Sequence, residues 1–393
     1  MLSLIENVRA GISPAYEIKR AVVIKRAFTL QVVKDWELED VHSGGVNCLD
    51  IDPSEHRYLL SGSNDGCIYI HDLLNYYGQC NYIAKVLCRI KRTNPGSHQF
   101  SVESVQWYPF DSGSFVSSGM DRKVKLWDSN LLTVAYETTL PGKIYHHEMS
   151  KVPSQNYLVA AATSTKNLIL LDLKSGSKSH ELVGHSAGIL TCNWSPRDDS
   201  LLATGSCDNQ IFLWDIRSSK ACLMSLDQHN GKGSAGNLSS CTAHDGYVNG
   251  LRFTENGFFL VSFGNDCKLR VWDVIKGTNI MVNFGTTHSH LKRSVQLDVT
   301  ACHVEHDLLF VPSTNHVLVY EIMSGIQVKK LIGHFDSVNC CTYEPWHQQL
   351  FSGGKDRTIL CWSSEIHKMK DPSCRKDNLE SFSNQLFSDN WND

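Results

Sequence analysis

No apolar run in the 393 residues comes near the length of about 18 that a membrane-spanning helix needs. The first residues carry Glu6 and Arg9 inside their apolar part, which argues against a signal peptide. Paired cysteines are missing too. The 14 cysteines form neither a CxxC nor a disulfide framework, so they read as reduced, mostly buried small hydrophobes of a cytosolic or nuclear protein. Charge of one sign is lacking: 37 Lys and Arg against 41 Asp and Glu, a net charge of −4, exclude a dedicated nucleic-acid coat, and no autonomous nucleic-acid binding is expected. There is no P-loop and no HExxH helix. Cys302, His303 and His306, and His288 with His290, read as turn residues rather than metal ligands. No metal, cofactor or catalytic residue is expected, and the chain reads as a non-enzyme.

What the chain has is one unit, repeated. From Gly184 to Arg217 it holds two short apolar runs, Leu201 to Ala203 and Ile211 to Leu213, separated by a Ser-Cys-Asp-Asn turn, which is strand–turn–strand chemistry. Taking Asp208 as reference, Thr204 lies four residues before it, Trp214 six after and His185 twenty-three before. The same offsets gather Ser117, Trp127 and His98 around Asp121, and Ser61 and His42 around Asp65, with His71 in the tryptophan slot. Asp266 has Ser262 and Trp272, and Asp356 has Ser352 and Trp362, with His244 and His334 one residue closer. An aspartate in a tight turn can accept from the histidine that starts the repeat, the histidine can meet a Ser/Thr hydroxyl, and the hydroxyl can meet the indole N–H. His, Asp and Ser together also suggest a catalytic triad. A set that recurs once per repeat is better read as a structural staple.

These motifs mark WD40 repeats. Dipeptides in the Trp-Asp slot fall at His71-Asp72, Trp127-Asp128, Leu171-Asp172, Trp214-Asp215, Trp272-Asp273, Tyr320-Glu321 and Trp362-Ser363, predicting an all-β, seven-bladed propeller over residues 21–363. Repeats three and six have Thr165 and Thr314 in place of the turn aspartate and are expected to rely on packing alone. The last repeat lacks an outer strand, and Phe28 to Val33 is expected to supply it. Residues 1–20 place Leu2, Leu4, Ile5 and Val8 on one helical face, a candidate partner-docking segment. Residues 364–393 read as a polar, disordered tail.

Three long connections, 91–100, 227–243 and 285–294, should emerge on the rim of the turn aspartates. Their basic residues include Lys91, Arg92, Lys232, Lys292 and Arg293, joined by Arg122, Lys355 and Arg357 from the turns, and as a set they suggest a face for an acidic partner. Arg217, two residues past Trp214-Asp215, should emerge on the opposite rim.

The segments SVESVQWYP (101–109), DLKSGS (172–177), LDQHNGK (226–232) and TAHDGYVNGL (242–251) resemble the Cockayne syndrome group A family of WD-repeat proteins over most of the stretch from Phe28 to Trp362. The resemblance implies a substrate receptor of a cullin-RING ubiquitin ligase in transcription-coupled nucleotide excision repair, nuclear, and monomeric within its complex. Its implied partners are the damaged-DNA-binding triple-propeller adaptor with cullin and RING subunits, the Cockayne syndrome B translocase and stalled RNA polymerase II. A receptor box of turn Asp, hydrophobic strand, Trp-Asp, any residue and Arg is matched by Asp208, Ile211, Leu213, Trp214, Asp215 and Arg217. The resemblance thus assigns adaptor binding to Leu2, Leu4, Ile5, Val8, Asp215 and Arg217. A generic propeller scaffold of a signalling or RNA-processing complex is the alternative.

Overall fold

The computed structural model describes residues 8–11, 22, 25–26, 28–33, 36–77, 82–152, 158–218, 222–231, 242–287, 293–300 and 307–364. Their strands form seven sheets, six of four antiparallel strands and one of five, arranged as the blades of a propeller. Each blade starts with a strand at the central channel and steps outward. In blade 4, Ile189–Trp194 is innermost, followed by Leu201–Ser206, Ile211–Asp215 and Cys222–Ser225 at the outside. Burial follows that order: every residue of Ile189–Trp194 is buried, whereas six of the seven residues in the outermost strand of blade 3, Ser177–Val183, are exposed.

The core is a set of layers between blades rather than one central mass. Trp214 packs with Leu158, Leu170 and Leu182 of blade 3, and Trp272 with Ala203, Leu213 and Leu226 of blade 4. A face that alternates apolar residues is buried only if another blade covers it, so the ring must close.

Closure is made by two short strands in succession. Gln31–Val32 pairs antiparallel with Ser363 and Trp362 as the fourth strand of blade 7, and Val33 N–H adds a bond to the Cys361 carbonyl. Trp36–Leu38 then adds a parallel fifth strand outside Tyr82–Ile90 of blade 1. Trp36 and Leu38 share a buried cluster with Leu49 and Leu59 of blade 1 and with Phe351 and Cys361 of blade 7, so one segment spans the seam. The expected closing strand is shorter than Phe28 to Val33. Phe28 and Thr29 are helical, with the Thr29 hydroxyl donating to the Lys25 and Arg26 carbonyls. Leu30 is the buried plug between them and the strand.

The two blades without a turn aspartate do not rely on packing alone. In blade 3 the Thr163 and Thr165 hydroxyls meet at 2.7 Å, and Thr165 Oγ1 donates to the Asn167 carbonyl at 3.2 Å, tying the turn locally. In blade 6, Ser313 N–H donates to the His316 carbonyl at 2.9 Å. In blade 3 short hydroxyl side chains thus hold the turn through local bonds, whereas in blade 6 the bond is backbone to backbone.

Candidate functional site

One rim carries the turns between the second and third strands of each blade. In the five aspartate blades the residue after the aspartate (Gly66, Arg122, Asn209, Cys267 or Arg357) takes a positive φ of 59° to 83°. The aspartate stabilises that left-handed step by accepting the N–H two residues on, as Asp121 does from Lys123 at 3.2 Å and Asp208 from Gln210 at 3.0 Å. Its other oxygen faces the histidine. Four blades complete the network: His98 reaches Asp121 at 2.8 Å, His185 reaches Asp208 at 2.8 Å, His244 reaches Asp266 at 3.0 Å and His334 reaches Asp356 at 2.8 Å. Their Nε2 atoms lie 2.7–2.8 Å from Ser117, Thr204, Ser262 and Ser352, which accept from Trp127, Trp214, Trp272 and Trp362. Burial alone would raise these aspartates. The histidine and backbone donors outweigh it and hold Asp121, Asp208, Asp266 and Asp356 below the usual carboxylate range.

Blade 1 departs from the pattern. His42 meets Ser61 at 2.8 Å, but Asp65 turns to the Ser43 and Gly44 N–H groups and the Ser43 hydroxyl instead. His42 Nδ1 is buried without a hydrogen bond. Burial, with His71 nearby, lowers the His42 pKa to about 3. With His71 in the tryptophan slot the ring edge no longer reaches Ser61, and His42 packs edge-on against Tyr69 at 4.6 Å.

The basic residues of this rim divide. Lys91, Arg92, Arg122, Lys355 and Arg357 are exposed. Arg293 is not a free surface charge: its guanidinium donates to Asn47 Oδ1 at 2.9 Å across the channel mouth, because the chain before the innermost strand of blade 6 returns toward the axis. Lys232 and Lys292 lie outside the described residues, as do Leu2, Leu4, Ile5, His288, His290, Cys302, His303, His306 and the tail from 365. Gly184 to Gly188 (GHSAG) has the letters of a nucleophile elbow, but Ser186 sits in the loop before a strand and its N–H caps Asp208 at 2.9 Å.

The opposite rim carries Asp215 and Arg217. Asp215 Oδ1 accepts Arg217 N–H at 2.9 Å and Nε at 3.0 Å, and Oδ2 accepts Nη2 at 2.9 Å, with Asp198 at 3.7 Å. This bidentate fork fixes a largely exposed guanidinium on the rim, and its own bonds hold the Asp215 carboxyl below its ordinary range. The helical turn before Gln31–Val32 arrives at the same rim, since that strand runs antiparallel to Ile359–Ser363. Val8 is half-buried within a helical turn.

A belt of polar side chains, not anticipated from the sequence, joins the innermost strands around a channel cavity of about 500 Å³. Asp50 accepts Trp107 N–H at 2.7 Å, Gln106 accepts Met149 N–H at 2.7 Å, and Glu148 accepts Trp194 N–H at 2.6 Å. Asn193 accepts Phe253 N–H and Asp298 accepts Tyr343 N–H, both at 2.7 Å, while Arg252 pairs with Asp298 at 2.7 Å. Each belt residue directly precedes the last apolar residue of its strand, which is the signal that could have found them. Burial pushes Asp50 up to about 6 and Glu148 up to about 7, against the pull of Arg252 and Lys151. Among the described residues no three His, Cys, Asp or Glu side chains converge as a metal site, and no helix is long and apolar enough to cross a membrane.

Comparison with known proteins agrees with this geometry. The family described as WD domain, G-beta repeat matches residues 37–72, 90–128, 176–215, 236–273 and 325–363, the five blades with a turn aspartate. The WD repeat-containing protein ATCSA-1 of Arabidopsis thaliana is 31% identical over 407 aligned positions, covering 86% of this chain and 90% of that protein. Ribosome biogenesis protein WDR12 homologs of Drosophila persimilis and Drosophila mojavensis are 29% and 30% identical over 197 positions, covering 49% of this chain and 46% of theirs. Seven stacked blades, four complete His–Ser/Thr–Asp–Trp networks and these matches make the chain a member of the WD40-repeat family, a binding scaffold rather than an enzyme.

Proposed function

We propose that the chain is the substrate-recognition subunit of a nuclear cullin-RING ubiquitin ligase acting in transcription-coupled nucleotide excision repair. In this reading it bridges the damaged-DNA-binding adaptor, with its cullin and RING subunits, to the Cockayne syndrome B translocase and stalled RNA polymerase II. The observation that carries the reading is the separation of two surfaces. The Asp215–Arg217 fork and the approach of the N-terminal segment share one rim, while Arg92, Arg122, Lys355 and Arg357 stand exposed on the other. A bridge needs two such faces, and a forked guanidinium suits a carboxylate or carbonyls across an interface. The Arabidopsis relative whose name contains CSA, aligned over 86% of this chain, supports the same assignment.

The second reading, a scaffold in RNA processing, is favoured by the ribosome-biogenesis relatives, whose likeness spans about half of each chain. Affinity purification of the tagged full chain from nuclei, followed by mass spectrometry, separates them. The ligase reading expects adaptor and cullin in stoichiometric yield. Recovery of pre-ribosomal proteins without the adaptor would favour the scaffold.

A further inference from the structure

Blade 6 is short at the channel. The other six blades begin with an innermost strand of six or seven residues, whereas in blade 6 only Asp298 and Val299 pair with their own blade, opposite Phe310 and Leu309. The residues before them, 293–297, leave the blade and cross the mouth of the channel. Val295 N–H donates to the Asn249 carbonyl of blade 5 at 2.9 Å. Gln296 then bonds blade 7 through its backbone: its carbonyl accepts Cys341 N–H at 3.2 Å, and its N–H donates to the Asn339 carbonyl at 3.4 Å. Its side chain reaches past blade 7 to blade 1, where Oε1 accepts Leu49 N–H at 3.1 Å and Nε2 donates to the Leu49 carbonyl at 2.6 Å. Arg293 makes the same crossing, donating to Asn47 Oδ1 of blade 1.

The seat of this strap is built into blade 5. Each of the six longer innermost strands slips register once near its start, and the residue after the slip is Cys48, Ser104, His146, Thr191 or Cys340 in five blades but Gly250 in blade 5. A Cβ at Gly250 would stand 3.0 Å from the Val295 carbonyl oxygen and 3.1 Å from Leu297 Cδ1, so a side chain there would press on the strap. Val295 and Leu297 are buried with Val261 and Val271 of blade 5 and Leu309 of blade 6, which anchors the strap while Gln296 and Arg293 project to blade 1.

We infer that residues 293–297 are an inner clasp that holds the ring shut at the seam of blades 7 and 1. The outer closure pairs only Gln31 and Val32 with blade 7. A side-chain amide that satisfies both backbone groups Leu49 turns toward the channel replaces a ladder pair from the inner side. The seam is thereby held at both radii: parting blade 7 from blade 1 breaks the Gln296–Leu49 bonds inside and exposes the cluster around Trp36 and Leu38 outside.

Native-state hydrogen exchange on the full chain tests the clasp. The unsubstituted protein is compared with Gln296→Met, which keeps the length of the side chain and loses its amide, and with Gly250→Ser, which keeps the amide and presses on the strap. Gln296→Met should speed exchange of the Leu49 amide, and also of the Val33 amide that donates to the Cys361 carbonyl on the outer side of the same seam, each by about tenfold, while amides of blade 3 keep their rates. Gly250→Ser should give the same pattern more weakly. Faster exchange at Leu49 alone would make the Gln296 bonds a local contact and overturn the clasp, as would unchanged exchange at both amides or an equal rise in blade 3. Where Gln296→Met fails to fold, Gly250→Ser decides by the same criteria.

Discussion

Asp266→Ala is expected to destabilise the propeller by about 3 kcal/mol, more than removal of any other turn aspartate, because it strips a buried cation as well as a histidine. Asp266 accepts His244 Nδ1 at 3.0 Å and Arg270 Nη1 at 2.9 Å, and all three side chains are at least nine-tenths buried. Arg270 continues to Gln228 Oε1 at 2.6 Å, in the LDQHNGK stretch. That stretch lies beside the two-residue outer strand of blade 5, where Asn230 and Asn279 exchange bonds. Losing Asp266 therefore leaves a buried guanidinium without its carboxylate, in contact with the His244 ring and the Gln228 amide only. Asp65→Ala, in the blade whose histidine never reached its aspartate, removes backbone caps and one exposed bond from the Ser43 hydroxyl and should cost about 1 kcal/mol. Thr165→Ala removes a local hydroxyl pair and should be similarly mild. Chemical denaturation at pH 7 measures the order, and equal losses at Asp266 and Thr165 would contradict it. Asp266 is held well below its ordinary value of 3.8, burial being outweighed by the His244 and Arg270 contacts, so its stabilisation is complete above that value. It is lost as pH falls below it, and the difference between the unsubstituted chain and Asp266→Ala should close in strong acid.

The second large effect lies in the channel. Arg252, 27% exposed, pairs with Asp298 at 2.7 Å and lies 3.7 Å from Glu148. Arg252→Ala should cost about 3 kcal/mol at pH 8, since it leaves carboxylates facing one another in a partly dry channel. The pH dependence runs opposite to that of Asp266. Glu148 is raised by burial from 4.5 to about 7 and Asp50 from 3.8 to about 6, so the folded chain holds protons that the unfolded chain has already released. Stability from these groups is fully present below the unfolded values and declines as pH rises through that interval. Without Arg252 the carboxyls titrate higher still, so the penalty should grow from pH 5 to pH 8. Denaturation curves at the two pH values decide it, and an equal penalty at both would mean that Arg252 acts by packing alone.

The networks were legible in the sequence because four side-chain types recur at nearly constant offsets, and a constant offset in a repeat is a constant position in space. His42 shows where that inference stops. The letters of blade 1 are nearly complete, yet replacing one indole by His71 changes which groups can reach Ser61, and Asp65 finds backbone donors instead. The channel belt escaped notice because its members share a position and not a chemistry: Asp50, Gln106, Glu148, Asn193, Arg252 and Asp298 look unrelated until their strands lie side by side. Arg293 was read as a loop charge because sequence distance from a strand says nothing of whether a loop turns outward or back to the axis.

The separation of the two rims is the central claim, and paired binding measurements on one set of variants test it. Deletion of residues 1–15 combined with Arg217→Glu should abolish recovery of the adaptor and leave capture of the translocase unchanged. Charge reversal at Arg92, Arg122, Lys355 and Arg357 should do the opposite, weakening the translocase in a salt-dependent manner while sparing the adaptor. Loss of both partners in either variant, with the melting temperature preserved, would contradict two independent faces, and adaptor recovery undiminished by the deletion with Arg217→Glu would contradict the receptor assignment itself.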